Sequence, residues 1–284
     1  MILFRSFLQF LVLQTFLFGA EAPAKTSQYL YLDAPSKKHG LFCLFNFVAG
    51  VLSEYEAGNY AGIEVNFEQS CAYYNKSRGS NCWQYYCEPI LLGSRKDAAL
   101  KRFDSQEFGD YALRGRSLRR EEVSRIIEKY IKINRAIKNK VRAFLMQHYL
   151  NQHVIAVHYR GTDKISEAPR VPYSKVIESV ENYITSHSLE QYKIFVATDE
   201  KSFLETIKAV FPHAVVAYDA TRSSDGKPLH YNRPDADLSK QGEEALIDCL
   251  LLSKGNVLIR TSSHLSLWAT FFNPYLPVIQ LSAH

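Results

Sequence analysis

Residues 153–164 read His153-Val154-Ile155-Ala156-Val157-His158-Tyr159-Arg160-Gly161-Thr162-Asp163-Lys164, and Ile165-Ser166-Glu167 come next. Between the two histidines the run is apolar and mostly β-branched, the pattern of a strand buried on both faces. Polar chemistry starts where the strand stops. His158, Arg160, Asp163, Lys164 and Glu167 put five titratable groups into ten residues. A strand buried on both faces belongs to a parallel sheet, so the flanking chain has to supply crossover helices.

The downstream sequence supplies them. Tyr173 to Ser186 and Phe203 to Phe211 are helical by spacing, and Lys193-Ile194-Phe195-Val196-Ala197-Thr198 between them is a strand. Ala214 to Tyr218 is a further strand, Glu243 to Lys254 a helix, Asn256 to Ile259 a strand and Leu265 to Phe272 a helix, and Pro277 to Leu281 closes the sheet. Upstream, Tyr29-Leu30-Tyr31-Leu32, a polar loop with Lys37, Lys38 and Gly40, an apolar helix from Leu41 to Tyr55 and a strand from Gly62 to Phe67 form a βαβ unit. Residues 70–110 read as loop-rich and aromatic, with Tyr73, Tyr74, Trp83, Tyr85 and Tyr86 serving either as core or as a wall on which a sugar stacks. Ser117 can cap a long helix whose apolar face runs Val123, Ile126, Ile127, Tyr130, Ile137, Val141, Phe144 and Leu145. Its other face carries Arg119, Arg120, Arg125, Lys129, Lys132, Arg135, Lys138 and Lys140, read as a solvated surface. The expectation is an α/β chain of two lobes, residues 25–150 and 151–284, with ligands at the carboxyl ends of the strands.

Composition excludes several classes. The chain has 284 residues, 46% hydrophobic and 22% charged, too apolar for a disordered tail and too long for a disulfide-framework miniprotein. A net charge of +5 is a mild excess that suits an anionic small substrate and argues against a dedicated nucleic-acid binder. At the N-terminus Arg5 precedes an apolar run from Phe7 to Phe18 and the small-residue stretch Gly19-Ala20-Glu21-Ala22. That order predicts a signal peptide over residues 1–24, or a signal anchor if left uncleaved. The run is shorter than the roughly 20 residues that span a bilayer. The predicted destination is the secretory pathway, ER and Golgi included, or the exterior or periplasm, according to host. Contact with a membrane is expected only through an uncleaved anchor. Cys71, Cys82 and Cys87 cluster and allow one local disulfide, with Cys82–Cys87 chosen among the three pairings. Cys43 and Cys249 read as small buried hydrophobes, and Asn75-Lys76-Ser77 is a glycosylation sequon in a eukaryotic host.

The strand ends carry the chemistry. Arg160 offers a planar fork and Lys164 a point charge, a combination that grips a diphosphate. Glu167 is a carboxylate able to take a proton from an attacking hydroxyl. At the last strand-to-helix turn, Thr261-Ser262-Ser263-His264 places hydroxyls and free amides at a helix N-terminus, an anion site. Asp248 interrupts an apolar helix, where it either caps something internal or accepts two hydrogen bonds from a base edge such as guanine. Asp199 comes after the second strand and either orients the loop or contacts the substrate.

These residues carry a resemblance. His158 to Lys164, the Ala197-Thr198-Asp199 strand end and the stretch from Asp248 to Ser263 resemble, in order, the three motifs of the α-1,6-fucosyltransferase/NodZ-like superfamily. The likeness covers about 110 residues of the second half; the first half matches only as a generic α/β unit. The resemblance implies a GT-B-like fold of two Rossmann-like lobes with parallel sheets and a fucosyltransferase that uses GDP-fucose. It further implies inversion at the anomeric carbon, no metal and no cofactor besides the donor. By that similarity residues 25–150 are the acceptor side and 151–284 the donor lobe. Arg160 and Ser263, with Ser262 beside it, hold the β-phosphate, His158 and Asp248 contact the guanosine, and Lys164 supports the leaving diphosphate. The family's glutamate base lies four residues past the lysine and Glu167 lies three past it, so Asp163 is the second carboxylate for that role.

The acceptor implied is a hydroxyl of a GlcNAc-containing glycan. Two other readings compete. The α-1,2-fucosyltransferase group resembles the same loop but has glycine where Thr162 stands, which favours the α-1,6 type. The other is a secreted protein that binds carbohydrate or nucleotide without turnover.

Overall fold

The computed structural model describes residues 28–58, 60–162, 170–226 and 236–283. The segment expected to be a signal peptide, and the candidates Asp163, Lys164 and Glu167, lie outside the described residues. Each of the two βα-rich halves builds its own sheet. In the first, β1 (Gln28–Leu32) is followed by α1 (Leu41–Glu56) and β2 (Gly62–Val65), and then by β3 (Leu91–Gly93) and β4 (Ala99–Arg102). Their order is β3-β2-β1-β4, parallel except for the antiparallel edge strand β3. Three helices come after the sheet: α2 (Ser105–Ser117), α3 (Arg120–Tyr130) and α4 (Arg135–His148).

The second half runs β5 (His153–Tyr159), α5 (Tyr173–Ser186), β6 (Tyr192–Thr198), α6 (Lys201–Val210) and β7 (Val215–Val216). It continues with α7 (Leu238–Leu252), β8 (Val257–Arg260), α8 (His264–Phe272) and β9 (Val278–Gln280). The sheet is parallel throughout, in the order β7-β6-β5-β8-β9. That is the doubly wound pattern, with strand order reversing between β5 and β8. The chain is thus α/β and GT-B-like, with two Rossmann-like lobes. β5 shows why the opening stretch decides this: Val154 and Ala156 point into one apolar cluster, and Ile155, Val157 and Tyr159 into another on the opposite face.

The first of those clusters is continuous with the core of the N-terminal sheet. Phe45 on α1 packs edge-on against Trp268 of α8, with ring centroids 5.0 Å apart, and against Trp83 at 4.9 Å. Asn46, buried beside them, accepts a hydrogen bond from the Trp268 indole at 2.7 Å. Each ring that goes from exposed to buried is worth about 1.5–3 kcal/mol, so this seam holds the lobes in register. Inside the first lobe α1 and α2 touch backbone to backbone. A Cβ on Gly50 would collide with the Tyr111 carbonyl, and one on Gly115 with the Asn46 carbonyl.

Three expectations are corrected. The helix predicted from Ser117 is two helices, and Ser117 ends α2 instead of capping α3. The break, residues 131–134, leaves the helix to pair with residues 86–88: Glu88 N–H donates to Lys132 O at 2.7 Å and Asn134 N–H to Tyr86 O at 2.9 Å. Helix α2 lies in a stretch read as irregular, although a capping box between Asp104 and Glu107 marks its start. The expected Cys82–Cys87 disulfide is absent, and all five cysteines are free thiols. Cys71 Sγ lies 2.6 Å from Cys82 Sγ, while Cys87 is buried and pairs with Ile133.

The aromatic segment is core: Tyr73, Trp83, Tyr85 and Tyr86 are all buried in the shared cluster. Charges on the basic face are partly matched, Lys129 by Glu56 at 2.9 Å and Lys140 by Glu243 at 2.5 Å. Among the described residues no helix is long and apolar enough to cross a membrane.

Candidate active site at the carboxyl ends of β5, β6 and β8

The strand-order reversal leaves a crevice outside the ends of β5 and β8, and the site is built there. His158 is the penultimate residue of β5 and pairs in register with Arg260, the last residue of β8. Arg160 leaves β5 with its backbone N–H bound to the Thr261 hydroxyl at 2.9 Å, so the two strand ends are fastened to each other. His158, Arg160, Thr198, Asp199, Thr221, Gln241, Glu244, Asp248 and Leu265 line one cleft. Four of the residues picked from the sequence therefore converge.

Asp199 organises the loop after β5. Its Oδ1 accepts the Gly161 N–H at 3.1 Å, and its Oδ2 accepts the Thr162 hydroxyl at 2.5 Å and the Arg160 guanidinium at 2.9 Å. Of the two readings of Asp199, this geometry is the loop-orienting one: both carboxylate oxygens are spent on its own chain. Glu200 does the same one residue on. It is 3% exposed and grips Arg170 through both oxygens, at 2.8 and 2.6 Å, while the Tyr173 hydroxyl donates to it at 2.7 Å. A Cβ on Gly161 would collide with the Glu200 carboxylate, which Arg170 and Tyr173 hold in place.

Two buried polar atoms in the cleft wall, His158 Nδ1 and Asp248 Oδ1, have no hydrogen-bond partner among the described residues. Buried polar atoms are rarely left unpaired, and a pair of them on one cleft marks a place for a ligand. Burial, with the Arg260 and Arg160 charges, holds His158 well below the usual histidine range, so its imidazole is neutral. Burial pushes the Asp248 carboxyl up to about 7, against the opposing charge of Arg222 and helped by Glu244. A donor from a ligand would favour the ionised form of that carboxylate.

The turn after β8 supplies hydroxyls. Ser263 caps α8, its Oγ accepting the Leu265 N–H at 3.2 Å, and Ser262 beside it is exposed. Capping uses the oxygen and leaves the hydroxyl proton to donate. Arg260 holds the turn from below: its guanidinium donates to Ser263 O at 3.1 Å and to Thr261 O at 3.4 Å. It is 8% exposed, and burial together with Arg120 lowers its pKa to about 10. Arg260 is not among the candidates picked from sequence, although an arginine ending the apolar run Val257-Leu258-Ile259 and preceding the serine turn is a visible signal.

The start of α1 is likewise absent from those candidates. Helix α1 begins at Gly40 without a side-chain cap, and its Leu41 N–H donates to the Tyr73 hydroxyl at 2.8 Å. Burial is the main cause that raises the Tyr73 pKa, and the Arg160 charge opposes it. Among the described residues no three His, Cys, Asp or Glu side chains converge as a metal site would require.

Comparison with known proteins agrees with this geometry. No curated protein matches the sequence significantly. The fold is that of the crystal structure of fucosyltransferase NodZ from Bradyrhizobium, at 16% identity and a TM-score of 0.59, covering 90% of this chain and 96% of that one. NodZ α-1,6-fucosyltransferase co-crystallised with GDP matches at 16% identity and 0.57, over 90% of this chain and 96% of that one. A NodZ crystal soaked with GDP-fucose matches at 16% and 0.57, over 89% and 94%. Residues 115–282, more than half of the sequence and including the whole of the cleft above, match the family described as Nodulation protein Z, and the chain belongs to that NodZ family of glycosyltransferases.

Proposed function

We propose that the chain transfers fucose from GDP-fucose to a hydroxyl of a glycan, with inversion at the anomeric carbon. The acceptor we assign is a GlcNAc-containing glycan of the α-1,6 type. The observation that carries the donor assignment is the cleft itself. Arg160 is aimed by Asp199, a serine-capped helix N-terminus stands beside it, and two buried atoms of His158 and Asp248 wait for partners. Guanine fits Asp248, because its N1–H and exocyclic amine form a donor pair for a carboxylate. Membership of the NodZ family and likeness to structures holding GDP and GDP-fucose support the same donor.

In this reading Arg160 and the Ser262-Ser263 turn hold the β-phosphate, and Lys164 supports the departing charge. Such donors are each worth about 2.7–4 kcal/mol when they meet charge that develops in the transition state. The acceptor oxygen attacks the anomeric carbon as the bond to the GDP oxygen breaks, and its proton passes to Glu167 or Asp163. Single displacement on the face opposite the leaving group inverts the centre. No cofactor takes part besides the donor, and the N-terminal segment sends the enzyme into the secretory pathway.

The test is a calorimetric titration with GDP, GDP-fucose, GDP-mannose and UDP-GlcNAc in wild type and Arg160→Ala. Micromolar binding of the guanine nucleotides, absent in the variant, is the expected result. Absence of nucleotide binding by folded wild type overturns the proposal. Glu167→Gln should abolish turnover and keep GDP affinity; retained turnover assigns the base to Asp163.

A further inference from the structure

We infer that Cys71 and Cys82, free thiols in contact in this structure, form a disulfide in an oxidising compartment that closes the loop between them and holds it in the shape that meets the donor lobe. Both side chains are 1% exposed and their sulfurs are in contact. The other three cysteines are elsewhere: Cys43 Sγ lies 3.9 Å from His39 Nδ1, Cys249 Sγ lies 3.3 Å from Leu265 O, and Cys87 is wholly buried beside Ile133. The loop they bracket carries the polar contacts to α7. Asn75 Nδ2 reaches the Ser239 hydroxyl at 3.4 Å, and Arg78 donates to Ser239 O at 3.2 Å and pairs with Glu243 at 3.0 Å. Helix α7 also carries Glu244 and Asp248, so the loop braces the helix that lines the cleft. The bracket is therefore placed where a covalent tie has something to hold.

The chemistry is thiol–disulfide exchange with a disulfide oxidant, either glutathione disulfide or the active-site disulfide of an oxidoreductase. One cysteine thiolate displaces a sulfur of the oxidant and forms a mixed disulfide. The second then attacks that mixed bond and expels the other thiol. Two S–H bonds are lost, one S–S bond forms, and the two electrons reduce the oxidant to two thiols. Burial of both sulfurs means the exchange precedes closure of the core. The inference does not rest on the identity of the donor sugar.

The test uses the full chain produced through an oxidising compartment, unfolded in denaturant and alkylated without reductant. Of the five cysteines, three should take the label, rising to five after reduction, with a linked peptide joining Cys71 to Cys82. Five labels before reduction, or a Cys82–Cys87 link, overturns the inference. Hydrogen exchange tests the brace. Amides of residues 72–81 should exchange at least about tenfold faster in the Cys71→Ser/Cys82→Ser protein and remain slow in Cys87→Ser, as loss of a cross-link over a short loop requires. Should the double variant not fold, wild type refolded in the presence of reductant, with all five cysteines shown to take the label, gives the same readout, and unchanged exchange in that reduced protein refutes the brace.

Discussion

Asp248 makes one substitution act in opposite directions on stability and on binding. Its carboxyl is 5% exposed and burial raises its pKa from 3.8 to about 7. In the unfolded chain the group loses its proton near pH 4, while in the folded chain it keeps it until about 7. Between those values the folded state holds more protons, so stability falls as pH rises and the loss is complete above the folded pKa. A shift of about 3 units at 1.36 kcal/mol each is about 4 kcal/mol. Asp248→Asn removes that penalty. Any cost of burying the amide is the same at every pH, so the comparison across pH isolates the charge. Between pH 5 and pH 8.5 the variant should gain about 3 kcal/mol relative to wild type. With an unfolding entropy of about 2.1 cal/mol/K per residue, that is about 4–5 °C in Tm. The same change should weaken GDP binding about 10- to 100-fold, the worth of a charged hydrogen-bond acceptor. Thermal melts at the two pH values and calorimetry with GDP measure both. An equal Tm difference at pH 5 and 8.5 refutes the burial argument, and unchanged GDP affinity refutes the assignment of Asp248 to the base.

The geometry sets two further outcomes. Arg260→Met removes the donors that hold Thr261 O and Ser263 O; GDP affinity should fall about tenfold with the melt nearly unchanged. An affinity equal to wild type would show that the serine turn holds its shape without Arg260. Gly115→Ala drives a methyl into the Asn46 carbonyl of α1. It should cost about 1–3 kcal/mol in a denaturant titration, and a neutral result would mean that the helices can separate freely.

The site divides its labour between the lobes in a physically economical way. The donor cleft is rigid because each strand end is tied to its neighbour: Arg160 N–H to Thr261, the β5 loop to Asp199 and Arg170 to Glu200. Rigid placement matters for a reaction whose catalysis is charge stabilisation, since donors that are already in position need no reorganisation when charge develops. The first lobe packs on the second through the seam around Trp268, where Asn46 accepts the indole hydrogen bond.

Much of this was legible in the chain. A both-faces-apolar run from Val154 to Val157, and its repeats at 193–198 and 256–259, demand a covered parallel sheet. In such a sheet the polar residues after each strand necessarily collect at one edge. His158, Arg160 and Asp199 are legible in that way, and Asp248 as a carboxylate that interrupts an apolar helix. Periodicity reports only which face of an element is buried, and three features depended on partners distant in sequence. The helix after Ser117 breaks because residues 86–88 offer strand-like hydrogen bonds to residues 131–134, a competition that no helical spacing reveals. That Cys71, and not Cys87, lies against Cys82 depends on where the 70–90 segment folds back on itself. Glu200 was invisible as a site residue because its work is done through Arg170 and Tyr173, side chains brought close only by packing, whereas Arg260 holds carbonyls one and three residues on and its place at the end of an apolar run was legible. Local pattern thus decided the class of fold and the edge where chemistry sits, because burial and turn preferences are local. Tertiary structure decided which polar atoms satisfy one another and which are left facing the cleft, because hydrogen bonds depend on tenths of an ångström between elements far apart in the chain.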